Sequence, residues 1–96
     1  MYRIQVGRLA ERQLDNALAW YAEQAPEQVP RLLASVSSAQ SRIALTPFLS
    51  REIEPGLRRM ALKVFPYHLW YTVDDDDVTI VAMTHFRQDT SYLGAI

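Results

Sequence analysis

The residues of this chain with the greatest chemical reach lie in its second half. His68 and His85 are its two histidines, and an imidazole titrates close enough to neutrality to give or take a proton at cellular pH. Arg58, Arg59 and Lys63 shortly precede His68 and supply cations for an anionic group, while Tyr67, Trp70 and Tyr71 offer ring faces on which bases can stack. Each also has a plainer role. Histidines on strands are commonly half-buried and hydrogen-bonded, Tyr71 suits a core, and basic residues keep the exposed side of a strand soluble. Metal chemistry finds no support in the spacing: there is no cysteine, the histidines are far apart, and no carboxylate stands at ligand distance from either. The run Asp74-Asp75-Asp76-Asp77 can attract a cation, but a solvated turn accounts for it more simply. No cofactor is expected.

These side chains need a sheet to hold them. Leu57 to Phe65, Tyr67 to Val73 and Val78 to His85 are rich in β-branched and aromatic residues and read as three strands. Pro66 separates the first two, and the aspartate run makes the last two a hairpin, since Asp bonds its own backbone and tolerates left-handed conformations. Alternation puts Leu69, Tyr71 and Val73 on one face and His68, Trp70 and Thr72 on the other. The same rule sets Val78, Ile80 and Ala82 against Thr79, Val81, Met83 and His85. One face is expected to meet helices, leaving His68, His85 and some of Arg58, Arg59 and Lys63 on an open face.

The helices precede the sheet. After a short strand from Tyr2 to Val6, ended by Gly7, the apolar positions Ala10, Leu14, Ala17, Leu18, Tyr21 and Ala25 recur at helical spacing. Pro26 stops that helix, because the residue before proline is pushed out of helical geometry. Val29, Leu32, Leu33, Val36, Ala39 and Ile43 form the stripe of a second helix, which tolerates Pro30 in its first turn and stops at Thr46-Pro47. So short a connection makes the pair an antiparallel hairpin. The expected fold is therefore α+β, in the order β-α-α-β-β-β, with a helical hairpin on a mainly antiparallel four-stranded sheet. Leu14, Leu18, Leu32, Leu33 and Val36 are assigned to the core, and Trp20 falls beside the stripe of the first helix.

Composition bounds the rest. Ninety-six residues make one ordinary domain, spanning 1–96, with roughly two thirds of the unfolded surface to bury. Hydrophobic residues at 49% and charged residues at 22% are the balance of a globular chain. The N-terminus has no signal-peptide pattern and no stretch reaches the roughly 20 apolar residues of a membrane span, so the cytoplasm is the expected location and no membrane partner is expected. A net charge of −1 gives no overall attraction to nucleic acid.

The segments Gly56-Leu57-Arg58, Phe65-Pro66-Tyr67-His68-Leu69-Trp70-Tyr71, Val78-Thr79-Ile80-Val81 after the acidic turn, and His85-Phe86-Arg87-Gln88-Asp89, in this order, resemble the RelE/ParE superfamily of toxins from type II toxin–antitoxin modules. Against the ParE-like branch, His85, Arg87, Asp89 and Tyr92 match its C-terminal pattern. Gln88, Thr90 and Leu93 replace an arginine, a proline and a tryptophan. The resemblance implies a toxin that arrests growth. In the ParE-like branch it acts by poisoning DNA gyrase; in the RelE-like branch it is an endoribonuclease cutting messenger RNA on the ribosome.

RNA cleavage through the 2′-hydroxyl needs a base, a cation for the phosphorane and an acid. The resemblance implies Lys63, His68, His85, Arg87 and Tyr92 as the candidates, with His68 standing where RelE-like enzymes carry an arginine. Gyrase poisoning needs only a surface, for which Arg58, Arg59, Lys63, His68, Arg87 and Tyr92 are the candidate contacts. The near-neutral charge and the incomplete basic set favour the ParE-like branch. A non-toxic interaction module with the same fold is the third reading. A toxin also implies a cognate antitoxin, which folds an extended segment across it. Trp20 and Leu93 are candidate contacts for that segment, and operator DNA is expected to be bound only by the complex.

Overall fold

The computed structural model describes residues 1–95. It runs β1 (Arg3–Val6), α1 (Arg8–Gln24), a 3-10 turn at Pro26–Gln28, α2 (Val29–Leu45), β2 (Glu52–Glu54), β3 (Leu57–Ala61), β4 (Tyr67–Asp74), β5 (Asp77–His85) and a closing 3-10 turn at Ser91–Ala95. The fold is α+β, with the helical hairpin on one face of the sheet. The sheet has five strands, not four, in the order β1-β5-β4-β3-β2. The extra strand is three residues long and mostly charged, below the length at which alternation gives a signal. It is joined to β3 by Pro55 and by Gly56, whose φ of 77° is the left-handed position that glycine fills at no steric cost.

β1 lies parallel to β5, pairing Arg3 with Asp77 through Val6 with Ile80, whereas every other pair is antiparallel. A parallel neighbour needs a crossover, and the hairpin of α1 and α2 with the later strands provides it. At the exit of β1 the Gly7 N–H donates to the Ile80 carbonyl at 2.9 Å. A Cβ at Gly7 would stand 3.3 Å from that same oxygen, so a side chain here would crowd the junction.

The helices pack as their periodicity predicts, with one exception. Ala10 and Ala17 of α1 and Leu32, Val36, Ala39 and Ile43 of α2 are buried against Leu69, Tyr71, Val78, Ile80 and Met83, and Leu14, Leu18 and Tyr21 pack at the rim. Hiding an aliphatic side chain such as Leu32 or Ile43 contributes about 1.5–3 kcal/mol. Leu33, expected in this core, is 45% exposed, because it sits on the flank of a stripe centred on Leu32, Val36 and Ile43. Pro30 lies in the first turn of α2, where its missing N–H has no partner to lose.

β3 is shorter than expected. Its pairing ends at Ala61, Val64 takes a left-handed φ of 76°, and Phe65 turns inward to the core. Lys63 therefore stands in a turn, and its carbonyl accepts the Ser35 hydroxyl at 2.7 Å.

The decisive irregularity is in β5. Trp70 pairs with Ala82 but Tyr71 pairs with Ile80, which leaves Val81 as the extra residue of a β-bulge. Beyond it the faces exchange. Ile80 and then Met83 point to the helices, while Ala82 joins Leu57, Trp70 and Leu93 in a second small core on the far face.

Where β1 ends, β5 continues without a strand beside it on that side. The side chain of Gln13 takes over: its Oε1 accepts the Met83 N–H at 2.7 Å, and its Nε2 donates to the Tyr92 hydroxyl at 3.4 Å. Replacing Gln13 by Leu strands a part-buried N–H, which costs about 1–3 kcal/mol. Urea unfolding of Gln13→Leu checks this through a lowered midpoint at unchanged slope.

Candidate functional site

The bulge decides which candidate residues meet. His68 pairs with Thr84 across the sheet and Tyr67 pairs with His85, so alternation puts His68 on the far face and His85 on the helix face. The expectation that both histidines share the open face is thus corrected, and the cause is the single unpaired residue at Val81.

The far face carries a cluster of rings under a cation. Arg59 lies opposite Trp70, with its guanidinium carbon 5.3 Å from the ring centre, a cation–π contact. The His68 ring stands 6.3 Å from that of Trp70 and 4.5 Å from that of Phe86 at 38°. Trp70 itself is only 2% exposed, because Leu57 and Leu93 cover it, and its Nε1–H donates to the buried Thr84 hydroxyl at 2.8 Å. The far face is thus partly roofed by the C-terminal segment, and what it presents to solvent are Arg59, His68 and the half-exposed Phe86. Leu93, expected as an antitoxin contact, is 1% exposed and is a core residue of this face instead, since the closing turn folds it onto Trp70 and Ala82.

Burial, and secondarily the charge of Arg59, holds the His68 pKa below its usual 6.5. Between the folded and unfolded values the unfolded chain binds more protons, so this histidine's contribution is complete above about 6.5 and is lost as pH falls through the lower folded value. In an NMR titration of the imidazole resonances, His68 is expected to titrate below 6.5. Arg59→Ala is expected to move its midpoint only part of the way back, because burial remains.

Arg58 lies on the other face, opposite Tyr71. Its guanidinium donates to the Ser50 carbonyl at 2.6 Å, meets the Glu52 carboxylate at 3.4 Å and sits 5.0 Å over the Phe48 ring. These contacts tie the loop after α2 to β3. Tyr71 does similar work, donating its hydroxyl to the Pro47 carbonyl at 2.7 Å.

On the helix face, Trp20, Gln13, Tyr67, His85 and Gln88 line a groove of about 410 Å³. Trp20 is 57% exposed and meets Tyr21 edge to face at 5.0 Å. His85 meets the Tyr67 ring at 5.5 Å, and its Nδ1 accepts the Arg87 N–H at 3.1 Å, which leaves the ring proton on Nε2. Burial, with Tyr21 nearby, pushes the Tyr67 hydroxyl pKa up. Tyr92 accepts a hydrogen bond from Gln88 at 3.2 Å as well as from Gln13. Asp89 accepts the Ser91 N–H at 3.0 Å, which draws its pKa down and starts the closing turn.

Of the sequence candidates, then, His68 and Arg59 come together, Phe86 joins them, and Lys63, His85, Arg58 and Tyr92 stand elsewhere. Arg87 is exposed just beyond β5. Phe86 could have been singled out as the aromatic that follows the last strand. Gln13 carries no signal in the sequence. Among the described residues no group of His, Asp and Glu is arranged to hold a metal, and no helix is long and apolar enough to cross a membrane.

Comparison with known proteins gives a consistent result. The family model described as ParE toxin of type II toxin-antitoxin system, parDE, matches residues 4–90. Toxin ParE2 of Mycobacterium tuberculosis, from strains CDC 1551 and H37Rv, is 30% identical over 94 residues, which cover 97% of this chain and 90% of the relative. Among solved structures, a chain of the chromosomal ParDE TA system from P. aeruginosa superposes with a TM-score of 0.70 at 16% identity, covering 88% of this chain and 96% of that one. At that identity the structural likeness speaks to the fold.

Proposed function

Since the chain belongs to the ParE toxin family of type II toxin–antitoxin systems, we propose that it arrests growth as a gyrase poison acting by surface contact and is neutralised by a cognate antitoxin. The observation that carries this reading is the division of the candidate nuclease groups. His68 and His85 lie on opposite faces, Lys63 is in a turn, and Tyr92 is engaged by Gln13 and Gln88. General acid–base cleavage needs its acid, base and cation within reach of one phosphate, and a contact surface needs no such convergence. Arg59, His68 and Phe86, with Arg87 beyond them, are the proposed target contacts.

The groove beside Trp20 is the proposed seat of part of the antitoxin, whose extended segment gains affinity by covering apolar side chains such as this one. The toxin then reaches operator DNA only inside that complex. Inducible expression with and without the adjoining reading frame tests the scheme. Arrest that the neighbour relieves supports it, and normal growth at good soluble expression instead supports a non-toxic module.

Ribosome-dependent cleavage of messenger RNA keeps one observation in its favour: a histidine held toward its neutral form beside an arginine, with Phe86 available to stack. Translating ribosomes carrying a labelled message distinguish it, since the gyrase reading predicts an uncut message with the purified protein.

A further inference from the structure

One flank of α2 is not absorbed by the core or by the sites above. Arg31, Ser35, Ser38 and Arg42 recur at helical spacing and so share one side of the helix. That side faces the turn between β3 and β4. Between them is a groove of about 370 Å³, lined from the helix by Arg31, Ala34 and Ser38 and from the turn by Lys63, Val64 and Phe65. Val64 is 93% exposed in a left-handed conformation that a β-branched residue rarely adopts, so an apolar side chain is held out at the lip.

The two charged side chains that line this groove, Arg31 and Lys63, are both cationic. Among the described residues neither Arg31 nor Lys63 forms an ion pair. Arg42, further along the same flank, has its Nε and Nη2 shielded from solvent with no hydrogen-bond acceptor among the described residues. Buried guanidinium donors of this kind are normally satisfied.

We propose that this groove docks an acidic segment of the antitoxin, with an apolar side chain between Val64 and Phe65 and carboxylates meeting Arg31 and Lys63. The inference rests on the toxin reading and adds to it the chemistry and place of a second contact, on α2 rather than beside Trp20 of α1. An acidic peptide is favoured over nucleic acid because the lining is mainly apolar, through Ala34, Val64 and Phe65, and holds only two cations, which suits an apolar anchor flanked by carboxylates better than a run of phosphates.

The test uses the full chain and the purified product of the adjoining reading frame, with affinity read by calorimetry at low and high salt. Arg31→Glu combined with Lys63→Glu is expected to weaken binding at least roughly a hundredfold and to flatten its salt dependence. Ser38→Trp, which fills the groove without changing charge, is expected to weaken it at least roughly tenfold. Both positions and Arg31 are exposed, so circular dichroism and melting should match the parent. Unchanged affinity in both variants, with tight binding by the parent, overturns the groove while leaving the toxin reading intact. A parent that does not bind the neighbouring product overturns both. A variant that loses only homopolymeric RNA binding, with antitoxin affinity retained, assigns the groove to nucleic acid and overturns the proposal.

Discussion

Trp70→Ala is expected to destabilise the protein by about 3–5 kcal/mol, the range for removing a large buried aromatic. Trp70 is the hub of the far-face core, 2% exposed and packed with Leu57, Ala82 and Leu93. Its loss also leaves the completely buried Thr84 hydroxyl without the indole donor at 2.8 Å, and a buried polar group without its partner adds its own cost. The cation–π contact of Arg59 goes with it. Because the closing turn is anchored through Leu93, the substitution should loosen the C-terminal segment ahead of global unfolding. Denaturant melts read the first effect, and hydrogen exchange at residues 91–94 reads the second. Trp70→Phe keeps most of the packing and is expected to cost less.

The largest functional effect is expected at Arg59. Arg59→Glu should weaken target binding by roughly 30-fold or more, the scale of an interfacial hot spot, and abolish growth arrest at expression levels where the parent arrests. Stability should change modestly, by about 0.5–2 kcal/mol, since the side chain is half-buried and a cation–π contact contributes about 0.5–1 kcal/mol when exposed and about 2 when desolvated. Growth on inducer, paired with a thermal melt of the same variant, separates a lost contact from a lost fold. His68→Ala serves as its neighbour on the same patch.

Much of this architecture is legible in the sequence. The two helices are written in their periodicity and bounded by Pro26 and Pro47, and the aspartate run closes β4 on β5 through Asp75, whose φ of 53° is left-handed. What sequence reasoning could not reach was the bulge. Val81 looks like any other β-branched residue in a strand, and only its pairing shows that it has no partner. Yet that one residue moves Met83 to the core and puts His85 on the opposite face from His68. Leu93 is illegible for a related reason: a leucine in a short polar tail gives no periodicity, and only the fold of the closing turn reveals that it caps Trp70. Leu33 shows the converse limit, since a helical stripe has flanks and its edge residues divide between core and solvent. The helix–sheet scaffold is thus set by patterns along the chain, whereas the site is set by one irregularity in pairing and one long-range contact.

The central claim, that this surface acts by contact on gyrase, is tested most directly by incubating the purified protein with DNA gyrase, supercoiled DNA and ATP and assaying cleaved DNA after detergent and protease. The account predicts that cleaved complexes accumulate with the parent protein and fall with Arg59→Glu. Undisturbed supercoiling by a protein that still arrests growth would contradict it.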